Sequence, residues 1–273
     1  MTFTGIKSLN IRQQIWRIAH MNIKLSDFDA ILFDLDGTIY WGTELIPGAN
    51  DTIAFFRNNG KKVFFTTNNS TKRREQIYEK LNKMGVDAQY DEVLTSGYVA
   101  ADYARRNNMK DIHIFGSADL IHEFKDMGVD VNQEEDAENL LIGYDPGMTY
   151  EDLVKAVRVA MNCKTIMACN REKIFAGQGA KPFPGCGAMT APVEWCSGRT
   201  ADIIIGKPNT MLVDFLKSAY GIEPSRALVI GDTYESDVAM AKNAGCLSIC
   251  ISPNEYDDTV NVRAIKDIPG LFA

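Results

Sequence analysis

Histidine is scarce in this chain, with three among 273 residues. His20, His113 and His122 lie apart from the six cysteines at 163, 169, 186, 196, 246 and 250, and no CxxC pair occurs. That spacing excludes a Cys/His zinc site and a Cys–His nucleophile, and leaves reduced, mostly buried thiols as the expectation. Even Cys186, flanked by Gly185 and Gly187, reads as a small residue at a helix start. An excess of positive charge is also missing. The net charge is −7, so neither nucleic acid nor an anionic membrane surface is expected as a partner. No apolar run approaches the ~18–20 residues of a membrane span. Lys7, Arg12, Arg17 and Lys24 interrupt the N-terminal region, which therefore lacks the apolar core of a signal peptide. A cytoplasmic location is the expectation. There is no GxGxxG after a strand and no GxxxxGK[ST], so a dinucleotide or P-loop site has no support. Internal repeats and low-complexity segments are absent.

What is present is a set of apolar strands that each end in polar residues of a distinct kind. Ala30-Ile31-Leu32-Phe33 runs directly into Asp34-Leu35-Asp36-Gly37-Thr38. Buried strands of parallel sheets read as short continuous apolar runs, and ligands collect just past their carboxyl ends. Asp34 and Asp36 are two residues apart, so in extended chain their side chains point to one side, about 6–7 Å apart. Gly37 lets the backbone turn away at once. Two such carboxylates can hold a hard cation, and one can attack an electrophile while the other moves a proton. Lys62–Thr67 is a second such strand, ending in Thr67-Asn68-Asn69-Ser70; the Thr67 hydroxyl and the amides of Asn68 and Asn69 can donate to phosphate oxygens. Ala201–Ile205 leads to Gly206-Lys207-Pro208, and Lys207 is a compact positive charge of the kind that meets phosphate. Ala227–Ile230 leads to Gly231-Asp232, with Glu235 and Asp237 close behind. Asp232 completes an oxygen-only cluster suited to Mg2+.

This ordered set resembles the haloacid dehalogenase superfamily of phosphohydrolases. Asp34-Leu35-Asp36-Gly37-Thr38 is similar to its first motif, Thr67 to its second, Lys207 to its third, and Gly231-Asp232 with Asp237 to its fourth. The resemblance runs from about Asp27 to the end of the chain. Tyr40, Thr67-Asn68-Asn69-Ser70-Thr71, Thr95-Ser96-Gly97, Pro184-Gly185-Cys186-Gly187 and Ile205-Gly206-Lys207-Pro208-Asn209 resemble the subfamily named for NagD and 4-nitrophenyl phosphatase. One departure is Glu235-Ser236-Asp237, where many relatives have Thr before the last Asp; Ser236 keeps the hydroxyl.

The resemblance implies an α/β fold: a Rossmann-like, doubly wound parallel sheet core with an inserted smaller α/β cap domain. The rhythm of the chain is compatible with it. Apolar residues at helical spacing over 5–24 predict an amphipathic N-terminal extension (1–25) that the superfamily pattern does not require. From Ser26 strands and helices alternate, with Gly60 and Gly85 just past their helices as C-terminal caps. Arg105-Arg106-Asn107-Asn108 is a polar break, and the cap is expected at 109–183, between core segments 26–108 and 184–273. The core is expected to resume with a helix at 188–197 and a strand at 202–206.

The function implied is hydrolysis of small phosphate monoesters. Asp34 would be the nucleophile, forming an aspartyl-phosphate, and Asp36 the acid and then the base. Mg2+ would be held by Asp34, Asp232 and the backbone carbonyl of Asp36, with Asp237 behind it on a bound water. Lys207, Thr67, Asn68 and Asn69 would hold the phosphoryl oxygens. The cap would select the substrate, with Trp41 either stacking on it or packing near the hinge, and in some relatives the cap also forms a homodimer interface. Two alternatives share these residues: a phosphotransferase or mutase, and a phosphoreceiver-type regulatory module. The leaving group could belong to a sugar phosphate, phosphoglycolate, pyridoxal phosphate or a nucleotide.

Overall fold

The computed structural model of the chain describes residues 23–176 and 181–272. The N-terminal extension expected over 1–25 therefore falls almost wholly outside the described residues. The large sheet contains β1 (Ala30–Asp34), β4 (Lys62–Thr67), β5 (Val93–Thr95), β12 (Ala227–Gly231), β13 (Leu247–Ile251) and β14 (Val260–Val262). Its order is β14-β13-β12-β1-β4-β5, every pairing parallel. The chain first winds outward from β1 through β4 to β5, then returns beside β1 at β12 and winds the other way. The order therefore reverses between β1 and β12, where an open α/β sheet parts to form a crevice.

All five residues of β1 are buried, as expected of a strand covered on both faces. Ile31 and Phe33 point to one face with Phe65, Leu228 and Ile230, where helices α1 (Ala49–Asn58) and α2 (Arg74–Lys83) contribute Phe56 and Leu81. Ala30 and Leu32 point to the other with Phe64 and Val229, under α3 (Ser96–Arg106), α7 (Met211–Tyr220) and α8 (Ala239–Ala244). Between β1 and α1 a two-residue hairpin, β2 (Tyr40–Trp41) and β3 (Glu44–Leu45), stands over the strand ends. The sequence reading had no strands there.

The smaller sheet, in the order β11-β8-β7-β6, is also parallel. It comprises β6 (Ile112–Phe115), β7 (Asn139–Ile142), β8 (Thr165–Ala168) and β11 (Ile203–Ile204). Helix α4 (Ala118–Asp126) covers one face; α5 (Tyr150–Asn162) and α6 (Cys186–Ser197) cover the other. Here one expectation is corrected. The helix at 188–197 and the strand at 202–206 were assigned to the resuming core, yet α6 packs on α5 and β11 hydrogen-bonds with β8. The small unit thus continues to Ile204, because only there does β8 gain its second neighbour. A further hairpin, β9 (Ile174–Ala176) with β10 (Pro182–Pro184), projects from this unit in the Gly/Pro-rich stretch.

Candidate active site

The two carboxylates of the first motif part company at the end of β1. Asp34 is its last residue and is 9 % exposed, whereas Asp36 lies on the turn and is open to solvent. The turn is tight: the amides of Thr38, Ile39 and Tyr40 all point at the carbonyl of Leu35, and Gly37 donates back to Tyr40 at 2.9 Å. Gly37 sits at φ +91°, in the left-handed region that favours glycine. A Cβ there would lie 2.3 Å from Oδ2 of Asp232, so its absence lets the fourth motif approach the first.

Lys207 enters from the chain just after β11 and is 2 % exposed. Its Nζ donates to Oδ1 of Asp34 and, at 2.7 Å, to Oδ1 of Asp237. Asp237 lies on a π-helical turn, Tyr234–Val238, that opens α8, and Asp232 directly follows β12. Carboxylate oxygens of Asp34, Asp232 and Asp237 all lie within 4.8 Å of one another, the one such cluster among the described residues.

Three acids facing one ammonium leave the pocket short of positive charge. Burial drives the Asp34 carboxyl well above its ordinary range; Lys207 opposes this, and repulsion from Asp237 and Asp232 adds to it. Burial, then Asp237, pushes Asp232 up to about 6. Burial works to lower the Lys207 ammonium, but Asp237 and Asp34 outweigh it and hold it above its usual value. A cation would relieve this crowding. The donors are all hard carboxylate oxygens, which fits a hard divalent cation such as Mg2+ better than a soft metal.

Asp36 is held from outside the cluster. Tyr40 Oη donates to its Oδ2 at 3.3 Å, and Lys80 Nζ stands 3.6 Å from the centre of the Tyr40 ring. Close packing around the turn still costs the exposed Asp36 carboxyl part of its solvation and raises it, partly offset by Lys80 and Tyr40. Lys80 carried no sign in the sequence beyond its place on an exposed-looking helix turn.

Thr67 is nearly buried, and its Oγ1 accepts from the amide of Asn69 at 3.1 Å, leaving its own hydrogen to donate. The side chains of Asn68 and Asn69 are engaged within the protein. Asn68 Oδ1 accepts from the Lys207 amide at 2.8 Å while its Nδ2 donates to the Lys207 carbonyl at 3.0 Å. A Cβ on Gly206 would lie 2.3 Å from that same Oδ1. Asn69 Oδ1 accepts from the Thr71 amide and hydroxyl and the Lys72 amide, closing an Asx turn. Asn68 thus fastens the lysine-bearing strand end to that of β4. Cys186 starts α6 as expected; burial pushes its thiol up to about 11, which makes it inert. Trp41 is 54 % exposed on the hairpin beside the crevice.

Residues 31–130 match the haloacid dehalogenase-like hydrolase family, and residues 204–266 match a second HAD-hydrolase-like family. An acid sugar phosphatase of Staphylococcus epidermidis is 32 % identical over 252 residues, covering 91 % of this chain and 95 % of that one. The chain belongs to the haloacid dehalogenase-like hydrolases. Phosphoglycolate phosphatase 2 of Arabidopsis thaliana is also 32 % identical, over 249 residues and 82 % of each chain. Among solved structures, the 4-nitrophenylphosphatase of Thermotoga maritima superposes with a TM-score of 0.84 at 28 % identity, covering 90 % of this chain and 98 % of that one. Within the superfamily this is the NagD and 4-nitrophenylphosphatase branch, and its enzyme class is phosphoric monoester hydrolase.

Proposed function

We propose that the protein is a Mg2+-dependent phosphatase of small phosphate monoesters that works through an aspartyl-phosphate on Asp34. The observation that carries this reading is the convergence of Asp34, Asp232, Asp237 and the Lys207 ammonium at the reversal point of the large sheet. Phosphoryl transfer is catalysed chiefly by positioning and charge. Lys207 opposes the burial that disfavours the Asp34 carboxylate and orients its oxygens, and the ammonium also neutralises phosphoryl oxygens. The Thr67 hydroxyl donates to another of those oxygens. Asp34, Asp232 and the Asp36 carbonyl, with Asp237 behind them, would hold a divalent cation, which would supply charge neutralisation for the phosphoryl group.

In the first half-reaction an Asp34 oxygen forms a bond to phosphorus as the ester P–O bond breaks. The leaving oxygen takes the proton from the Asp36 carboxyl. In the second, the Asp36 carboxylate accepts a proton from water, whose oxygen attacks phosphorus and frees Asp34 and inorganic phosphate. Positioned acid–base help of this kind is typically worth roughly 10²–10⁴-fold. The large sheet is the catalytic domain in this reading, and the unit from about 109 to 204 is the cap.

The test is phosphate release from a panel of phosphomonoesters, with Mg2+ and with a chelator. Mg2+-dependent turnover is expected, with burst kinetics of alcohol release wherever dephosphorylation is slow. Undiminished turnover in chelator would remove the metal from the proposal, and no turnover on any ester would remove the phosphatase.

A further inference from the structure

The segment after β8 reaches back to the large sheet with two side chains. Asn170, 2 % exposed, donates from Nδ2 to the Asn68 carbonyl at 2.8 Å. Glu172 Oε1 accepts from Asn68 Nδ2 at 2.8 Å, while Asn68 holds both backbone groups of Lys207. Two close approaches lock this segment. The Gly187 amide donates to the Glu172 carbonyl at 2.8 Å, and a Cβ on Gly185 would lie 2.4 Å from that carbonyl oxygen. The half-buried Glu172 carboxylate is thereby carried from the small unit to the Asn68–Lys207 junction at the crevice; burial raises its carboxyl, and the Asn68 hydrogen bond and the Lys207 charge oppose this.

A carboxylate is an odd choice for this place. Fastening Asn68 needs one acceptor oxygen, which a neutral glutamine would supply equally well. The negative charge adds to a site already crowded with acids and opposes an anionic substrate. Its physical effect lies in what it repels. A like charge brought beside a fixed one is disfavoured most when both are shielded from solvent.

We propose that Glu172 sets the charge class of the leaving group, disfavouring esters whose alcohol carries a carboxylate and leaving neutral polyol and sugar phosphates as the substrates. This rests on the phosphatase reading above. Glu172 reaches from the small unit onto the Asn68 side chain that holds Lys207, so a leaving group extending from the crevice toward the small unit passes beside it. Glu172 makes no bond to the phosphoryl group in this account; it is a specificity-determining residue.

The experiment compares kcat/KM for 2-phosphoglycolate with kcat/KM for glycerol 3-phosphate, in wild type and in Glu172→Gln. Glutamine keeps the acceptor for Asn68 and removes only the charge. The acidic-to-neutral ratio should be below one in wild type and should rise about tenfold in the variant, the size of effect one unit charge exerts across a few ångströms of wet crevice. Glu172→Ala loses the hydrogen bond as well, so it should shift the ratio in the same direction while lowering kcat on both esters. A ratio that moves less than twofold in both variants overturns the assignment, as does a wild type that prefers phosphoglycolate. Wild type inactive on both esters and on nitrophenyl phosphate would overturn the phosphatase reading and this inference with it.

Discussion

Asp34→Asn is the sharpest test at the scale of single residues. It removes the attacking charge and the partner of Lys207 at nearly constant volume, so turnover should fall by at least about 10³-fold with the melting temperature little changed. Rapid-quench and steady-state assays in Mg2+ would check it, and near-normal turnover would disqualify Asp34 as nucleophile. Lys207 offers a graded version. Lys207→Met leaves Asp34 and Asp237 buried against each other without a cation, whereas Lys207→Arg keeps the charge in a longer, planar head. Activity should rank wild type, then Arg, then Met, and equal activities in all three would make Lys207 a bystander. The gathering of Asp34, Lys207, Asp232 and Asp237 was legible from the chain as polar residues at or just past the ends of apolar strands, where a buried strand can no longer hold them. Asn68 and Asn69 were legible as polar residues at a strand end, but not their engagement by Lys207, Thr71 and Lys72. That engagement depends on which strand end lies opposite, a fact with no local signature. Glu172 escaped for the same reason, being 104 residues from its partner Asn68.

At the scale of elements, β1, β4 and β12 and the helices closed by Gly60 and Gly85 followed from apolar runs and glycine caps, whereas elements of two or three residues were missed because their pattern is too short to read. The β2–β3 hairpin has two residues per strand, and β5 and β14 have three each, so none offers a pattern. Sheet membership of β11 was misread because a parallel strand's neighbour is set by crossover topology, not by its own sequence. Another join without a local signature is Arg74, at the start of α2. Its backbone amide donates to Glu123 of α4 at 2.7 Å and its Nε donates to the Val93 carbonyl at 2.8 Å. Its guanidinium lies 4.6 Å from the Tyr90 ring centre and 4.0 Å from that of Tyr98. One buried side chain therefore ties α2 to β5 and α3. Arg74→Ala strips the carbonyl of its partner and both rings of their cation, a loss of about 2–4 kcal/mol. Chemical denaturation should show a lower midpoint with an unchanged slope. Loss below ~0.5 kcal/mol would mean that water replaces these contacts freely.

The whole molecule joins two sheets through one apolar cluster. Residues of α3, among them Val99, Ala100 and Ala104, share it with Leu32 and Phe64 of the large sheet and with Ile112, Ile114, Leu141 and Met167 of the small one. Helix α3 is thus covered on one side by each unit, and the Asn68 junction with Asn170 and Glu172 lies at the same boundary. This bears on how the cap can be studied. Replacing residues 110–182 by a short linker would leave α6 and β11 without their sheet and would expose the α3 face that the small unit covers. Such a product should bind a hydrophobic dye and melt without cooperativity, so substrate selection is better tested by point substitution in the intact chain. The same continuity predicts the unfolding of the intact protein. Two units joined only by linkers would melt separately, but stripping either sheet here uncovers apolar surface belonging to the other, at a cost near 25 cal/mol per Å2. Calorimetry should therefore give one transition, with fluorescence of Trp41 on the large unit and Trp195 on the small one changing at the same midpoint when each is followed in a variant lacking the other tryptophans. Two transitions, or midpoints several degrees apart, would show that the shared cluster does not couple the units, and the cap would then be free to rock over the crevice as a separate body.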